Sequence, residues 1–330
     1  MVGEGDPAGQ RSGAGGRPGT QEAAAVTEEA VRRWRPGFPV EPGRALLPLR
    51  RGPADPSYRR TGDGAVWRAS RTPAGVGTLR VLGRPADGEV EARAWGPGAG
   101  WLLEQLPALL GAEDDPAALV LPPGPLRDAQ RRLGGARLGR TGLVMESLVP
   151  AVLEQKVTTD EAYRAWRSLL RDFGTPAPGP AEGMRVPLSA REWAMLPSWE
   201  WHRAGVDPKR SATVVRAARL APRLEEASGL AHQEAFARLT SVPGIGIWTA
   251  AETLQRSNGD PDAVSVGDFH LPNLVGWALA GRPRSDDTQM LALLEPYRPQ
   301  RHRVCRLLLA TAGHAPRYGP RLAPNDHRGR

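Results

Sequence analysis

The spacing of apolar residues changes once along this chain, and the change limits the folds that it can adopt. Up to about Leu121, apolar residues alternate with polar ones in short stretches separated by Asp-Gly and Gly-Pro turns, as in strands that bury one face. From about Pro125 onward they recur at intervals of three and four, as on one face of a helix. We therefore predict an α+β fold, with an N-terminal antiparallel sheet domain at residues 31–124 and an all-α domain at 125–330. The alternating stretches are AVWRAS (65–70), GTLRVLG (77–83) and GEVEARAWG (88–96), and a predicted helix, AGWLLEQLPALLG (99–111), follows them.

Capping sequences mark several helix starts in the second domain. They are Thr158 with Glu161, Ser189 with Glu192, and Asp207 with Pro208. A preceding helix with a buried face at Leu143, Val144, Leu148, Val149, Val152 and Leu153 ends near Gln155. The segment EQKV (154–157) is thereby confined to a tight turn between two helices, and we expect its side chains to point outward.

Composition excludes several classes of protein. The 330 residues contain no apolar run near the roughly 18 to 20 that span a bilayer. Residues 1–30 lack the basic and apolar regions of a secretory signal, and we predict a disordered tail there. The single cysteine, Cys305, excludes an internal disulfide framework and the four-cysteine site of an iron–sulfur cluster. We expect a cytoplasmic, monomeric protein with no membrane partner.

The charge of the chain favours a polyanionic partner. Residues 1–30 carry Arg11 and Arg17 against Glu4, Asp6, Glu22, Glu28 and Glu29, a net charge of −3. The whole chain carries +8, so the remainder carries +11. Such a balance suits nucleic acid, because each neutralised phosphate releases condensed counterions. The alternative is a compositional bias of the source, since the chain is also rich in glycine, proline and alanine.

A Pro-Gly-Ile-Gly sequence between two helix-forming stretches marks the candidate binding site. Residues 232–241 and 247–257 form helices by pattern, and Val242 to Gly246 interrupt them, so residues 232–257 are predicted to form a hairpin. Glycines allow a sharp turn and close approach to a ligand, and the free N–H groups that open the second helix form an anion site. The alternative is an ordinary helical hairpin in which glycine is only a C-cap.

An aspartate lies downstream of this hairpin. Asp268, in the sequence AVSVGDFHL, comes twenty-two residues after Gly246. A hairpin of this sequence with a downstream aspartate resembles the helix-hairpin-helix DNA glycosylase superfamily, and within it the 3-methyladenine DNA glycosylase II branch. The resemblance extends from about Trp95 to the C-terminus. The hairpin and the aspartate are its specific signals, whereas the N-terminal sheet matches only in general character.

The resemblance implies a role for each matching residue. In that branch the hairpin amides grip a DNA phosphate, and the target nucleotide is flipped into a pocket that faces the aspartate, between two helical lobes. Asp268 is then catalytic. The DNA backbone is bound at Val242, Gly244, Ile245, Gly246 and Thr249. No cofactor or catalytic metal is implied, although Na⁺ or K⁺ could bind to the carbonyl groups of Val242, Gly244 and Ile247.

Asp268 can also cap a helix that we expect to begin at Phe269. The two roles are compatible, because a helix N-terminus stabilises a nearby carboxylate anion by roughly 0.3 to 1 kcal/mol. An anion stabilises the oxocarbenium-like sugar that forms when the glycosidic bond breaks, and it can orient or deprotonate the attacking water.

Trp248 stands at the second position after Gly246, where bifunctional members of the superfamily carry a Schiff-base lysine. The two lysines of the chain, Lys156 and Lys209, lie outside the hairpin, so a strand-cleaving lyase has no obvious nucleophile. Trp248 could instead stack on a cationic base. The alternative is packing in the hydrophobic core.

Two features depart from the pattern of the branch. Glu252 occupies a position, one helical turn after Trp248, where many relatives carry an aromatic residue. It could contact the base in the pocket or could be a solvated helix charge. In the 154–157 turn, Gln155 or Lys156 would act as the wedge that fills the gap left by the flipped nucleotide, or Lys156 would contact a phosphate.

These observations predict a monofunctional DNA glycosylase of base excision repair. The enzyme would flip alkylated purines of the 3-methyladenine or 7-methylguanine type out of duplex DNA and excise them by hydrolysis. The alternatives are a bifunctional glycosylase/lyase that acts on oxidised bases, and a non-catalytic helix-hairpin-helix DNA-binding protein.

Overall fold

A computed structural model describes residues 29–133 and 137–311 of the chain. The predicted tail, residues 1–30, lies outside the described residues except for Glu29 and Ala30, and Ala30 begins a strand.

An antiparallel sheet of five strands forms the N-terminal region, in the spatial order β1-β5-β4-β3-β2. Its strands are β1 (Ala30–Trp34), β2 (Tyr58–Arg60), β3 (Val66–Thr72), β4 (Gly75–Arg84) and β5 (Glu89–Trp95). The three alternating stretches of the sequence are the central strands β3, β4 and β5, as predicted. The pattern missed β1 and β2, which are short strands at the two edges of the sheet and have mostly exposed or half-exposed residues.

Helices follow the sheet. In chain order the α-helices are α1 (Pro42–Ala45), α2 (Ala99–Glu104), α3 (Leu106–Leu109), α4 (Pro125–Arg132), α5 (Val144–Leu153), α6 (Thr159–Phe173), α7 (Ala190–Met195), α8 (Ser198–Arg203), α9 (Pro208–Arg219), α10 (Ala221–Glu225), α11 (His232–Thr240), α12 (Ile247–Ser257), α13 (Leu271–Ala280), α14 (Asp287–Leu294) and α15 (Arg301–Thr311). A small two-stranded sheet, β6 (Thr175–Pro176) and β7 (Arg185–Val186), lies between α6 and α7.

The predicted helix at residues 99–111 is divided into α2 and α3. Pro107 lies in the first turn of α3 and has no N–H to continue the hydrogen bonding of α2, which explains the break at Gln105. Both helices pack on the sheet, where Leu102, Leu106 and Leu109 join the core residues of the strands.

The helical region contains two hydrophobic cores, which correspond to two lobes. One core is built around α5, α9 and α12, with Leu148, Val214 and Leu254 among its buried side chains. The other joins α13, α14 and α15, through residues that include Met290 and Val304. The loop at 258–270 connects α12 in the first lobe with α13 in the second, so the residues of this loop lie at the junction of the lobes.

Local sequence signals account for the helix starts. Both predicted capping boxes form, because Thr158 and Ser189 each accept from the backbone N–H of the glutamate three residues later. Asp207 caps α9 as predicted. The predicted face of α5 is fully buried. Within the described ranges, no helix is long and apolar enough to cross a membrane.

Candidate nucleic-acid interface and active site

The hairpin forms where the sequence predicts it. Helix α11 ends at Thr240, α12 begins at Ile247, and the N–H of Ile245 donates to the carbonyl of Val242 at 3.0 Å, which closes the turn. Gly244 has φ +97°, a conformation that disfavours other residues. A Cβ atom there would overlap the hydroxyl of Thr213 on α9, so both the turn and the close approach to α9 require glycine.

Neighbouring segments hold the hairpin from both sides. Arg216 of α9 donates from Nε to the carbonyl of Pro243 at 3.0 Å. Gln155 donates from Nε2 to the carbonyl of Gly244 at 3.0 Å and to the hydroxyl of Thr249 at 2.7 Å. Val242 and Ile245 are buried beneath the turn, with exposed fractions of 2% and 3%. The hairpin is therefore anchored by its apolar side chains and presents its backbone to the surface.

The first turn of α12 has open hydrogen-bond donors. Gly246, the N-cap residue, is exposed and extended, with φ −90°, and no side chain caps the helix. In the described part of the chain, the N–H groups of Gly246, Ile247 and Trp248 have no hydrogen-bond acceptor. Unpaired amides at the positive end of a helix dipole form an anion-binding site.

The Asp268 side chain binds the start of the next helix, but that helix starts later than predicted and its N-cap position is His270. Helix α13 begins at Leu271, two residues after the expected start at Phe269, because residues 269–270 form a bend. One carboxylate oxygen of Asp268, Oδ1, accepts from the N–H groups of His270 and Leu271, both at 2.8 Å. These bonds fix the carboxylate and leave its second oxygen for another partner.

The second oxygen of Asp268 faces Trp248. The indole Nε1 of Trp248 lies 3.4 Å from Oδ2 of Asp268, at the long limit of a hydrogen bond. Both side chains are half-buried, and Trp248 is not among the buried residues of either helical core. The structure therefore brings together the two side chains that the sequence singled out, and Trp248 lies half-buried at the junction of the lobes instead of filling a core.

The residue after Asp268 is an exposed aromatic. Phe269 is 73% exposed, and its ring packs edge-on against His270 at a centroid distance of 4.9 Å. On α15, burial raises the pKa of the Cys305 thiol to about 12, and the charge of Asp268 contributes to that rise.

The position of Glu252 differs from both sequence-based interpretations. Its Oε2 accepts from Nη1 of Arg256 at 2.7 Å, and its Oε1 accepts from the hydroxyl of Ser265 at 2.5 Å. Burial opposes ionisation, but Arg256 and Ser265 outweigh it, so the pKa of Glu252 lies below its ordinary value. Glu252 is therefore neither a solvated charge nor a free acceptor for a base, because both oxygens are bound within the protein.

The Glu252–Arg256 pair belongs to a buried ionic cluster that joins α12 to the N-terminal domain. Arg256 donates from Nε to the carbonyl of Pro48 at 3.1 Å. Nη1 of Arg51 lies 3.7 Å from Oε1 of Glu154. Burial, together with the charge of Arg256, lowers the pKa of Arg51. The i, i+4 spacing of Glu252 and Arg256 was a sequence signal for their pairing. Arg51 gave none, because its partners are distant in sequence.

The turn at 154–157 is present, but only one of its two wedge candidates points outward. Lys156 is exposed and has φ +55°. Gln155 is bound to the hairpin through the hydrogen bonds described above, which satisfy its amide and explain why it departs from the expectation. Arg210, only 4% exposed, holds the turn in place by donating to the carbonyl of Leu153 at 2.6 Å.

The predicted monovalent cation at the hairpin stays a prediction. The carbonyl of Val242 accepts from Ile245 and that of Gly244 accepts from Gln155, so a cation would use the remaining lone pair of each oxygen. Among the described residues, no group of three or more histidine, cysteine, aspartate or glutamate side chains could hold a metal ion.

Comparisons with known proteins concern the sequence and the fold. No family model matches the chain. The chain is 30% identical over 178 residues to a Mycobacterium tuberculosis protein described as a probable bifunctional transcriptional activator/DNA repair enzyme AlkA, an alignment that covers 49% of this chain and 34% of the relative. The chain thus spans about a third of the length of the curated relatives that it matches.

Two solved structures extend the comparison to most of the chain. A 3-methyladenine DNA glycosylase from Archaeoglobus fulgidus superposes with a TM-score of 0.69 at 15% identity, over 84% of this chain and 97% of its own. An 8-oxoguanine glycosylase/lyase from Clostridium acetobutylicum superposes with a TM-score of 0.67 at 11% identity, over 87% and 99%. The chain therefore has the fold of the helix-hairpin-helix DNA glycosylases, and it resembles their 3-methyladenine DNA glycosylase II-like branch.

Proposed function

We propose that this protein is a DNA glycosylase that hydrolyses the glycosidic bond of alkylated purines in duplex DNA, without cutting the strand. The observation that carries the proposal is that Nε1 of Trp248 lies 3.4 Å from Oδ2 of Asp268, at the junction of the lobes. The unpaired N–H groups of the first turn of α12 lie beside this contact.

The open amides are suited to hold the DNA backbone. Gly246, Ile247 and Trp248 offer N–H groups at the positive end of the α12 dipole, and the hairpin that carries them is anchored by Gln155 and Arg216. A phosphate bound there positions the duplex without selecting a sequence, because the donors are backbone groups. The excess of positive charge in the chain adds salt-dependent affinity.

We place the flipped nucleotide in a cleft beside Asp268, at the junction of the lobes. The fixed carboxylate would face the sugar as positive charge develops on it, and would orient or deprotonate the attacking water. The two backbone bonds to Oδ1 hold the group in place, so little reorganisation accompanies the reaction. The half-buried indole of Trp248 lies beside this carboxylate and can stack on a cationic base, an interaction of about 0.5 to 2 kcal/mol.

Alkylated purines fit this site better than oxidised bases do. A base with a positive charge is a good leaving group and is attracted to an aromatic face, whereas a Schiff-base mechanism needs an amine that the hairpin does not carry. Glu252 is bound to Arg256 and Ser265, so we assign selection of the base to Trp248 and to the shape of the cleft.

The experiment is release of free base from methylated genomic DNA, with strand breaks scored before and after alkali. Asp268→Asn removes the charge but retains a residue that caps α13. The matched control is Asp286→Asn, the same change at the N-cap of α14. We expect the wild type and Asp286→Asn to release 3-methyladenine or 7-methylguanine, Asp268→Asn to release almost none, and breaks to follow only alkali.

Other outcomes would identify the alternatives. Release of oxidised bases with breaks before alkali would indicate a bifunctional glycosylase/lyase. Equal binding of damaged and intact duplex by the wild type and Asp268→Asn, with no base released by either, would indicate a non-catalytic DNA-binding protein.

A further inference from the structure

A cavity lies between the N-terminal region and helix α15. Its volume is about 520 Å³, within the range of small-molecule sites. Part of its wall is apolar, formed by Leu109 and Leu110 after the sheet, Leu133 after α4, and Leu307 of α15. Neither Trp248 nor Asp268 lines it, so it is distinct from the cleft assigned to the flipped base.

Six arginines of the described residues line this cavity, namely Arg44, Arg132, Arg137, Arg256, Arg303 and Arg306, and two of them, Arg44 and Arg306, come from distant segments of the chain. Arg44 comes from α1 and Arg306 from α15. Both side chains are exposed, so their guanidinium groups are accessible to a ligand that enters the cavity. In the described ranges, no carboxylate forms a hydrogen bond or ion pair with either arginine. The one carboxylate in the lining, Glu41, is 3.7 Å from Arg60.

The charges around Arg306 are mostly positive. Desolvation lowers the pKa of the Arg306 guanidinium and the charges of Arg256 and Arg44 lower it further, whereas the charge of Glu252 raises it. The neighbouring His302 is buried, and burial together with Arg306 and Arg256 holds its pKa well below the ordinary value. Of the three arginines Arg44, Arg256 and Arg306, Arg256 is already paired with Glu252. A bound anion would therefore reduce the repulsion between Arg44 and Arg306.

We propose that this cavity binds a small organic phosphate, with Arg44 and Arg306 as the ligands of the phosphate group and the leucine wall against the apolar part of the molecule. Two arginines match the charge of a phosphate monoester, about −1.5 to −2 at neutral pH, better than the single charge of a carboxylate. The volume leaves room for a larger body beside the phosphate, and the apolar wall favours one that is partly hydrophobic.

The test is titration calorimetry with deoxyadenosine 5′-monophosphate as the probe. Arg44→Gln and Arg306→Gln remove the proposed ligands one at a time, and Arg131→Gln is the matched control, since Arg131 is an exposed arginine of α4 outside the lining. We expect each lining variant to bind at least about tenfold more weakly and the control to bind like the wild type. Deoxyadenosine, which lacks the phosphate, should bind far more weakly than the monophosphate.

A thermal melt separates loss of the ligand site from loss of folding. Without probe, Arg306→Gln should melt at a higher temperature than the wild type, because one repelling charge is gone. With probe at about a hundred times its Kd, the wild type should gain about 5 °C and Arg306→Gln much less.

Three outcomes would overturn the proposal. The first is no binding of the monophosphate to the wild type at millimolar concentration, and the second is equal binding by the wild type and both lining variants. The third is displacement of the probe by undamaged duplex, which would assign the two arginines to the DNA backbone. These measurements use no damaged DNA, so their result is independent of the proposed glycosylase activity.

Discussion

Helix α12 has two ends with opposite character. Its first turn is open, because the N–H groups of Gly246, Ile247 and Trp248 have no acceptor within the described residues and the indole of Trp248 is half-buried beside Asp268. One and two turns later, the side chains of Glu252 and Arg256 are closed into a buried ionic cluster in which both carboxylate oxygens are bound. The first turn of α12 thus offers unpaired backbone N–H groups to a ligand. Further along, the hydrogen-bonded Glu252–Arg256 pair joins the same helix to the N-terminal region.

The difference shows which functional groups can be predicted from sequence. At the open end the hydrogen-bond donors are backbone N–H groups of one contiguous motif, so the motif was enough to predict the anion-binding site. In the closed part the partners of α12 come from Ser265, Pro48 and Arg51, which are distant in sequence. The predictions below test this contrast, from the largest expected effect to the smallest.

Removing one partner of the closed cluster should have the largest effect. Arg256→Met leaves the carboxylate of Glu252 buried without its cation, and we expect the free energy of unfolding to fall by about 3 to 5 kcal/mol. Urea denaturation measures this. The double variant Glu252→Met, Arg256→Met should recover most of the loss, because no buried charge is left unpaired. A double variant as unstable as the single one would show that packing or the bond to Pro48 dominates.

At the open end, Asp268 should separate activity from stability. We expect Asp268→Asn to lower single-turnover base release by about 10²- to 10³-fold, equivalent to about 2.7 to 4 kcal/mol of transition-state stabilisation. Its free energy of unfolding should match that of the wild type, because asparagine also caps a helix. Asp268→Ala should lose the same activity and, in addition, about 1 kcal/mol of stability. Equal stability of the two variants would contradict the capping role.

The two hairpin glycines should differ although they are two residues apart. Gly244→Ala places a Cβ at φ +97° against Thr213, and we expect a loss of about 1 to 3 kcal/mol in the free energy of unfolding, with weaker binding to duplex DNA. Gly246→Ala is the matched control, because Gly246 has extended backbone and open space around its Cα, so its effect should stay within about 0.5 kcal/mol. A reversed order would contradict the assigned roles.

The smallest expected effect is a pH dependence of the closed cluster. The pKa of Glu252 is lower in the folded protein than its ordinary value, so its contribution to stability is present above that ordinary value and is lost as pH falls through the folded one. Glu252→Gln should therefore flatten the acid side of the stability curve below about pH 4.5. Chemical denaturation of the two proteins between pH 3 and pH 6 measures the difference, and parallel curves would exclude this contribution.

Sequence predicted much of the fold because the decisive signals are local. Alternation identified β3 to β5, and two capping boxes and an Asp-Pro pair identified the starts of α6, α7 and α9. The edge strands β1 and β2 were missed, because a strand with few buried residues has little apolar pattern. The arginine-lined cavity was also beyond prediction, since Arg44 and Arg306 come from opposite ends of the chain.

Within the candidate site, the fold brings together Asp268 and Trp248, which the sequence singled out and whose roles stay predictions, whereas the outward orientation predicted for Gln155 was wrong. Turn residues commonly point to solvent, but the short amide of Gln155 finds two acceptors on the hairpin. The 154–157 turn contacts the hairpin because α5 packs against α12, and no local sequence pattern predicts that packing.

The bond network of Gln155 has a mechanical consequence. A single side chain connects the turn that carries Lys156 with the hairpin that carries the open amides, and Arg210 fixes the same turn to α9. The separation between Lys156 and those amides is therefore set by the protein alone. A DNA duplex that engages both loops must adjust its own curvature to their spacing, so the stiffness of these few contacts would determine how sharply the duplex is bent.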